Sequence, residues 1–185
     1  MLNNEGASSV ETALVKDILA YIKSAYNYFT EFNTEEEIAR VNGLVDKLLD
    51  IGGSYERGSI THGETDHNSS LINSVTLNLD EKPSIRFYVK ENGIEFFANG
   101  KKLNTVTGTD EAYGTYVELD VYAYVLSHTI TYYLGEEQGS YHVSDYVYGV
   151  IKNENADKHA KLVELALSFV KYTESAEAYR TFVLK

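Results

Sequence analysis

The chain has no cysteine and no tryptophan, and only one proline and one methionine among 185 residues. Without cysteine there is no disulfide framework, no thiol nucleophile and no thiolate-ligated metal. Basic residues are scarce: 16 Lys and Arg stand against 28 Asp and Glu, a formal charge of −12. Such a surface repels phosphate backbones and anionic headgroups, which argues against nucleic acid and membrane surfaces as partners. No apolar run approaches the roughly 20 residues of a membrane-spanning helix. The first residues, Met1 to Ser9, lack the basic and apolar stretches of a signal peptide. Asn3 to Ser9 reads as a polar linker, which fits a cytosolic protein or a segment from the middle of a longer secreted chain.

With 43% hydrophobic and 24% charged residues, the composition is that of a globular domain with a core to fill. Hydrophobic period divides it into three blocks. Val10, Leu14, Ile18, Tyr21, Ala25, Tyr28, Phe29 and Phe32 recur at helical spacing. Thr34 to Glu37 is a capping box that opens a second helix carrying Ile38, Val41, Val45, Leu48 and Leu49, with Gly52-Gly53 as its stop. In the middle block Leu71, Val75, Leu77 and Leu79 alternate with polar residues, Pro83 stands at the start of a strand, and Ile85, Phe87 and Val89 alternate again. Asn92-Gly93 and Asn99-Gly100 read as hairpin turns around a strand from Ile94 to Ala98, with a further strand from Lys101 to Val106. Tyr116 to Val121 and Thr129 to Leu134 are rich in β-branched and aromatic residues. In the last block Ser144 is the N-cap of a short helix through Ile151. Leu162, Leu165, Ala166, Phe169, Val170 and Tyr179 mark a long helix capped by Asn155 or Asp157.

The expected fold class is α+β: an antiparallel, Ig-like β-sandwich with a helical hairpin before it and helices after it. The expected segments are 1–53 for the hairpin, 54–142 for the sandwich and 143–185 for the C-terminal helices, forming one compact unit or one repeat of an array. The two helical ends align: Leu14-Val15 with Leu162-Val163, Leu19 with Leu167, Tyr21-Ile22 with Phe169-Val170, and Lys23 with Lys171.

Ala13-Leu14-Val15-Lys16 through Tyr26-Asn27-Tyr28-Phe29 resembles a recurrent helix in secreted and cell-surface multidomain proteins of gut Firmicutes, Ruminococcus-like bacteria above all. In that family the helix is paired with a small β-sandwich whose last strand runs into a Tyr-Ser-Val-x-Asp-Tyr motif. Tyr141-His142-Val143-Ser144-Asp145-Tyr146 is similar, Lys161 to Tyr179 looks like the second helix copy, and Val121 to Leu126 resembles the family's connection between two late strands. Where the family has Gly-Ala-Ala-Ala, this chain has Ile22-Lys23-Ser24-Ala25 and Val170-Lys171-Tyr172-Thr173. The resemblance implies an extracellular or cell-surface accessory module of unassigned function, with neighbouring modules of the same polypeptide as its first partners.

Chemistry is sparsely marked. His62, Glu64, Asp66 and His67 are metal-ligand types within six residues, but no regular element aims them, and the reading is a solvated loop without a metal. The nucleophile elbow, the phosphate loop, the His-Glu-x-x-His zinc motif and the Asp-x-Asp-x-Asp-Gly calcium pattern are absent. No two acids stand out as the carboxylate pair of a glycosidase. The expectation is therefore no catalysis and no cofactor.

Tyrosine is the anomaly, at 16 residues. Its flat ring and hydroxyl suit stacking on sugars or anchoring a protein interface. If Tyr116 to Tyr124 form one strand, Val117, Leu119, Val121, Ala123 and Val125 face the core. Tyr116, Tyr122 and Tyr124 then share the other face with Glu118 and Asp120, as a candidate ligand surface; the alternatives are tyrosines at core edges, or a turn over residues 121–127. The expected function is a non-catalytic accessory module that spaces, attaches or contacts other proteins. The alternative is a carbohydrate-binding module using exposed tyrosines. An enzyme acting on glycans would require a pocket with two facing carboxylates.

Overall fold

The computed structural model describes residues 8–51, 55–78, 84–152 and 159–185. The fold is α+β, with four helices and two antiparallel sheets among these residues. The chain divides into two units, one of Met1–Thr61 with Val147–Lys185 and one of His62–Tyr146. The helices from both ends of the sequence thus share a unit.

In the helical unit, α1 (Ser9–Tyr28) opens on a second capping box, in which Ser8 and Glu11 exchange side-chain-to-amide bonds. The helix stops at Tyr28, so Phe29 and Phe32 of the expected stripe lie beyond it. α2 (Glu35–Ile51) starts on the expected box, with Thr34 Oγ1 accepting from the Glu37 amide at 3.2 Å. Its proposed Gly52-Gly53 stop lies outside the described residues, as do Leu79, Pro83, Asn155 and Asp157. α1 and α2 are antiparallel, joined by Lys23–Asp46 at 2.6 Å and Asn42–Asn27 at 2.8 Å. The long helix α4 (Ala160–Val183), whose N-cap is His159 rather than Asn155 or Asp157, runs antiparallel to α1, with Ser24 and Ser168 hydroxyls 3.0 Å apart in the seam. The aligned residues Tyr21 and Phe169 face each other at 5.5 Å, so the two similar helices pack on one another. Ser24 and Ser168, both buried, are small enough to let the helices approach there.

In the β unit, one sheet has the order β1 (Ile72–Asn78), β2 (Ser84–Val89), β6 (Gly114–Leu119), β5 (Thr105–Asp110). The other has β4 (Lys101–Lys102), β3 (Glu95–Ala98), β7 (Ile130–Leu134), β8 (Glu137–Tyr141). Their inner faces meet at Phe87, whose ring lies 4.8 Å from Phe96 and 5.4 Å from Tyr141. Fully burying such a ring contributes about 1.5–3 kcal/mol.

Three sequence expectations are corrected here. Asn92-Gly93 is not a hairpin turn: β2 is already flanked by β1 and β6, and β3 pairs with β7 in the other sheet. Lys101 to Val106 is two strands, because the chain changes sheets between them. The Leu103 amide bonds Phe96 O at 2.8 Å on one side, and Asn104 O accepts from Asp120 at 3.1 Å on the other. Ser144 does not cap α3 (Val143–Lys152) but lies inside its first turn. Asn99-Gly100 is the expected two-residue turn, with φ of 48° and 71°.

Candidate functional site

β6 ends at Leu119, so the continuous strand from Tyr116 to Tyr124 does not form, and the alternative of a turn within residues 121–127 does. After one further bond from Asp120, the chain extends through Tyr122 and tightens into a 3-10 turn, Ala123–Ser127. The Val125 amide donates to Tyr122 O at 2.9 Å, and Ser127 Oγ donates to Tyr124 O at 2.8 Å. Leu126, buried in the core, anchors this turn, while Val121, Ala123 and Val125 are only half-buried. A period of three replaced the period of two, and it moved the inward position from Val125 to Leu126.

The turn stacks the Tyr122 and Tyr124 rings, 5.8 Å apart and inclined by 11°. Tyr122 is 75% exposed, and Tyr124 beneath it is half-buried. A large aromatic face is thereby held toward solvent on a second ring. That pre-orientation reduces the rotamer entropy lost when a ligand stacks on it.

Tyr116 belongs to a different cluster. On β6 it pairs with Tyr88 of β2, and the rings meet edge-on at 5.9 Å. Arg86 lies 4.6 Å over the Tyr116 ring and is ion-paired with Glu118. Gly108 sits opposite on β5, where a β-carbon would come within 2.4 Å of the Tyr116 ring, so the missing side chain leaves room for that ring. Tyr113, 64% exposed, packs on Tyr88 at 5.3 Å. Arg86, Tyr88 and Tyr113 went unnoticed in the sequence. The alternation of Ile85, Phe87 and Val89 already turns Arg86 and Tyr88 outward, but only strand register sets them beside Tyr116.

The His62 to His67 loop is fastened, contrary to the reading of a loop without rigid flanks. The Gly63 amide donates to Ser144 Oγ at 2.8 Å, and the Asp66 amide donates to Ser140 O at 2.9 Å. His62 and His67 meet the two oxygens of Asp145 at 3.3 and 2.9 Å. His142 is buried and takes the Ser144 amide on Nδ1 at 3.2 Å, while its Nε2 bonds Ser127 O at 3.2 Å. A carbonyl only accepts, so the hydrogen is on Nε2. Asp66 accepts from the Asn68 amide at 3.0 Å. Among the described residues, no group of three or more His, Asp or Glu side chains is placed to hold a metal ion.

Comparisons with protein-family models, with curated proteins and with solved structures find no match to this chain. No helix among the described residues is long and apolar enough to cross a membrane.

Proposed function

We propose that this chain is a non-catalytic binding module of a secreted or cell-surface bacterial protein. Its two sheets would act as an Ig-like sandwich in the loose sense, and it would take glycan on the Tyr122–Tyr124 face. The observation that carries the reading is the exposed Tyr122 ring stacked on Tyr124. A pyranose presents a C–H face that buries well on a flat ring, and a phenol hydroxyl adds a polar contact at its rim. The extracellular setting rests on the resemblance of the two terminal helices and the Tyr141–Tyr146 segment.

The test is binding of the chain to an array of plant, host and bacterial-wall glycans, alongside Tyr122→Ala and Tyr124→Ala. At least one glycan is expected to bind, with the signal lost in the Tyr122 variant. Binding that survives both substitutions would remove this face from the function. Release of reducing ends from any polysaccharide would overturn the non-catalytic part.

A second reading, a spacer or protein-interaction module, draws on the other cluster. Tyr113, at 64% exposure, packs on Tyr88, and Val106, at 60%, lies opposite Glu118, the ion-pair partner of Arg86. Tyrosine and arginine are enriched at the centres of interfaces. An array without a single bound glycan would favour this reading.

A further inference from the structure

The helical unit contains an open cleft of about 410 Å³, lined by Ala13, Lys16, Asp17, Tyr55, Glu56 and Lys171. That volume is within the range of about 300–1,000 Å³ usual for small-molecule sites. Ala13, Lys16 and Asp17 lie on one face of α1, at spacings of three and four. Tyr55 and Glu56 come from the segment after α2, and Lys171 comes from α4. We propose that this cleft is a second saccharide site, which holds one neutral, hydroxyl-rich sugar residue. The inference rests on the glycan-binding reading above but uses a different unit of the chain.

Charge is the first argument. The protein carries −12 overall, yet the lining has two ammonium groups against two carboxylates and balances to zero. A balanced lining exerts no net pull on a simple anion or cation. It does interleave donors and acceptors, and each sugar hydroxyl is both at once.

Preorganisation is the second argument. Asp17 is 4% exposed and accepts a hydrogen bond from Tyr55 Oη at 3.0 Å, while the Ser175 hydroxyl donates to Tyr172 O at 3.1 Å. An ionised carboxylate has about four acceptor positions, so it keeps capacity after the Tyr55 bond. The Lys171 ammonium bonds Glu174 at 3.3 Å and Ser59 O at 3.5 Å, both long, and it has three protons to donate. Ala13 and Tyr55 are the lining residues that carry apolar surface against which a pyranose C–H face can pack. A carboxylate locked by a phenol loses little freedom when a ligand arrives.

The experiment is ligand-observed NMR of the full chain with glucose, galactose, mannose, N-acetylglucosamine and glucuronate. Wild type is compared with Lys171→Met, Glu56→Gln and Tyr122→Ala, each checked for folding by circular dichroism. Glu56 is exposed, so its variant tests the cleft even if Lys171→Met unfolds. At least one neutral sugar is expected to bind, weakened about ten-fold in both cleft variants and unchanged in Tyr122→Ala. Loss confined to Tyr122→Ala would overturn the cleft and leave the tyrosine face standing. Loss confined to the cleft variants would support the cleft, with the tyrosine face left to the array. Glucuronate binding more tightly than every neutral sugar would overturn the neutral class, and failure of the wild type to bind any of the five would overturn the site. Two carboxylates line the cleft, so the sugars are also supplied as aryl glycosides. Hydrolysis lost in Asp17→Asn would overturn a mere binding site in favour of a catalytic one.

Discussion

At Gly63 a β-carbon would sit 1.9 Å from Cγ and 2.5 Å from Cβ of His142. These atoms are close to the His142 backbone, and the ring is held by Ser144 and Ser127, so it has little room to swing aside. Gly63→Ala is therefore expected to destabilise the protein by about 1–3 kcal/mol, measured by urea denaturation. Gly108 is the contrast, since its clash is with the far end of the Tyr116 ring, which can rotate away. Gly108→Ala should cost distinctly less, and equal losses at the two sites would refute this account. Gly63 is part of a cluster that the sequence displayed as Thr61 to Asn68, rich in metal-ligand types. What was legible was the inventory of polar groups. That Asp145 and Ser144, some 80 positions further on, tie down the loop was not legible, because nothing local encodes that return.

Among the elements, helices were the most readable because their signals are local. The Ser8–Glu11 box has the same spacing as Thr34–Glu37, and reading it would have placed the start of α1. Removing the Ser8 hydroxyl leaves the Glu11 amide without its cap. Ser8→Ala should lower stability by about 1 kcal/mol, and hydrogen exchange should rise first in the opening turn of α1. A uniform rise over the whole chain would show instead that α1 does not fray independently. Strands were read less accurately. Their period of two appears in Ile85, Phe87 and Val89, but partnership and sheet membership do not. Tyr116 to Val125 alternates convincingly on paper, and the chain turns at Asp120 because Leu126, rather than Val125, fills the core.

For the whole molecule, the excess of acids sets the pH response. At neutral pH the −12 charge repels itself, and acidification toward the pI near 4.8 relieves that repulsion. Asp17 acts in the same direction. Burial raises its pKa above the ordinary 3.8, so its contribution is present at low pH and is lost as pH rises through the raised value. Glu37 acts oppositely. Its bonds from Thr34 lower its pKa below 4.5, so its contribution is present above 4.5 and is lost as pH falls through the lowered value. Tm is thus expected to rise by roughly a few degrees between pH 7 and about pH 5.5 as the net charge falls, then to fall in stronger acid, and Asp17→Asn should remove only the part of the pH dependence that lies between 3.8 and the raised value. Scanning calorimetry across that range decides it, and a Tm that falls steadily from pH 7 would refute the charge-repulsion argument. By itself the sequence determined the α+β class, the start of α2, the Asn99-Gly100 turn and the sign of the surface charge, since each depends on neighbours a few residues apart or on composition. Only the tertiary structure decided that the similar end helices pack on each other and that the chain changes sheets at Leu103-Asn104. It alone decided that Tyr122 stacks on Tyr124 while Tyr116 joins Arg86, and that Asp17 meets Tyr55 and Lys171 in a cleft. Those arrangements depend on contacts between residues far apart in the chain, where volume and hydrogen-bond satisfaction rather than local period select the partner.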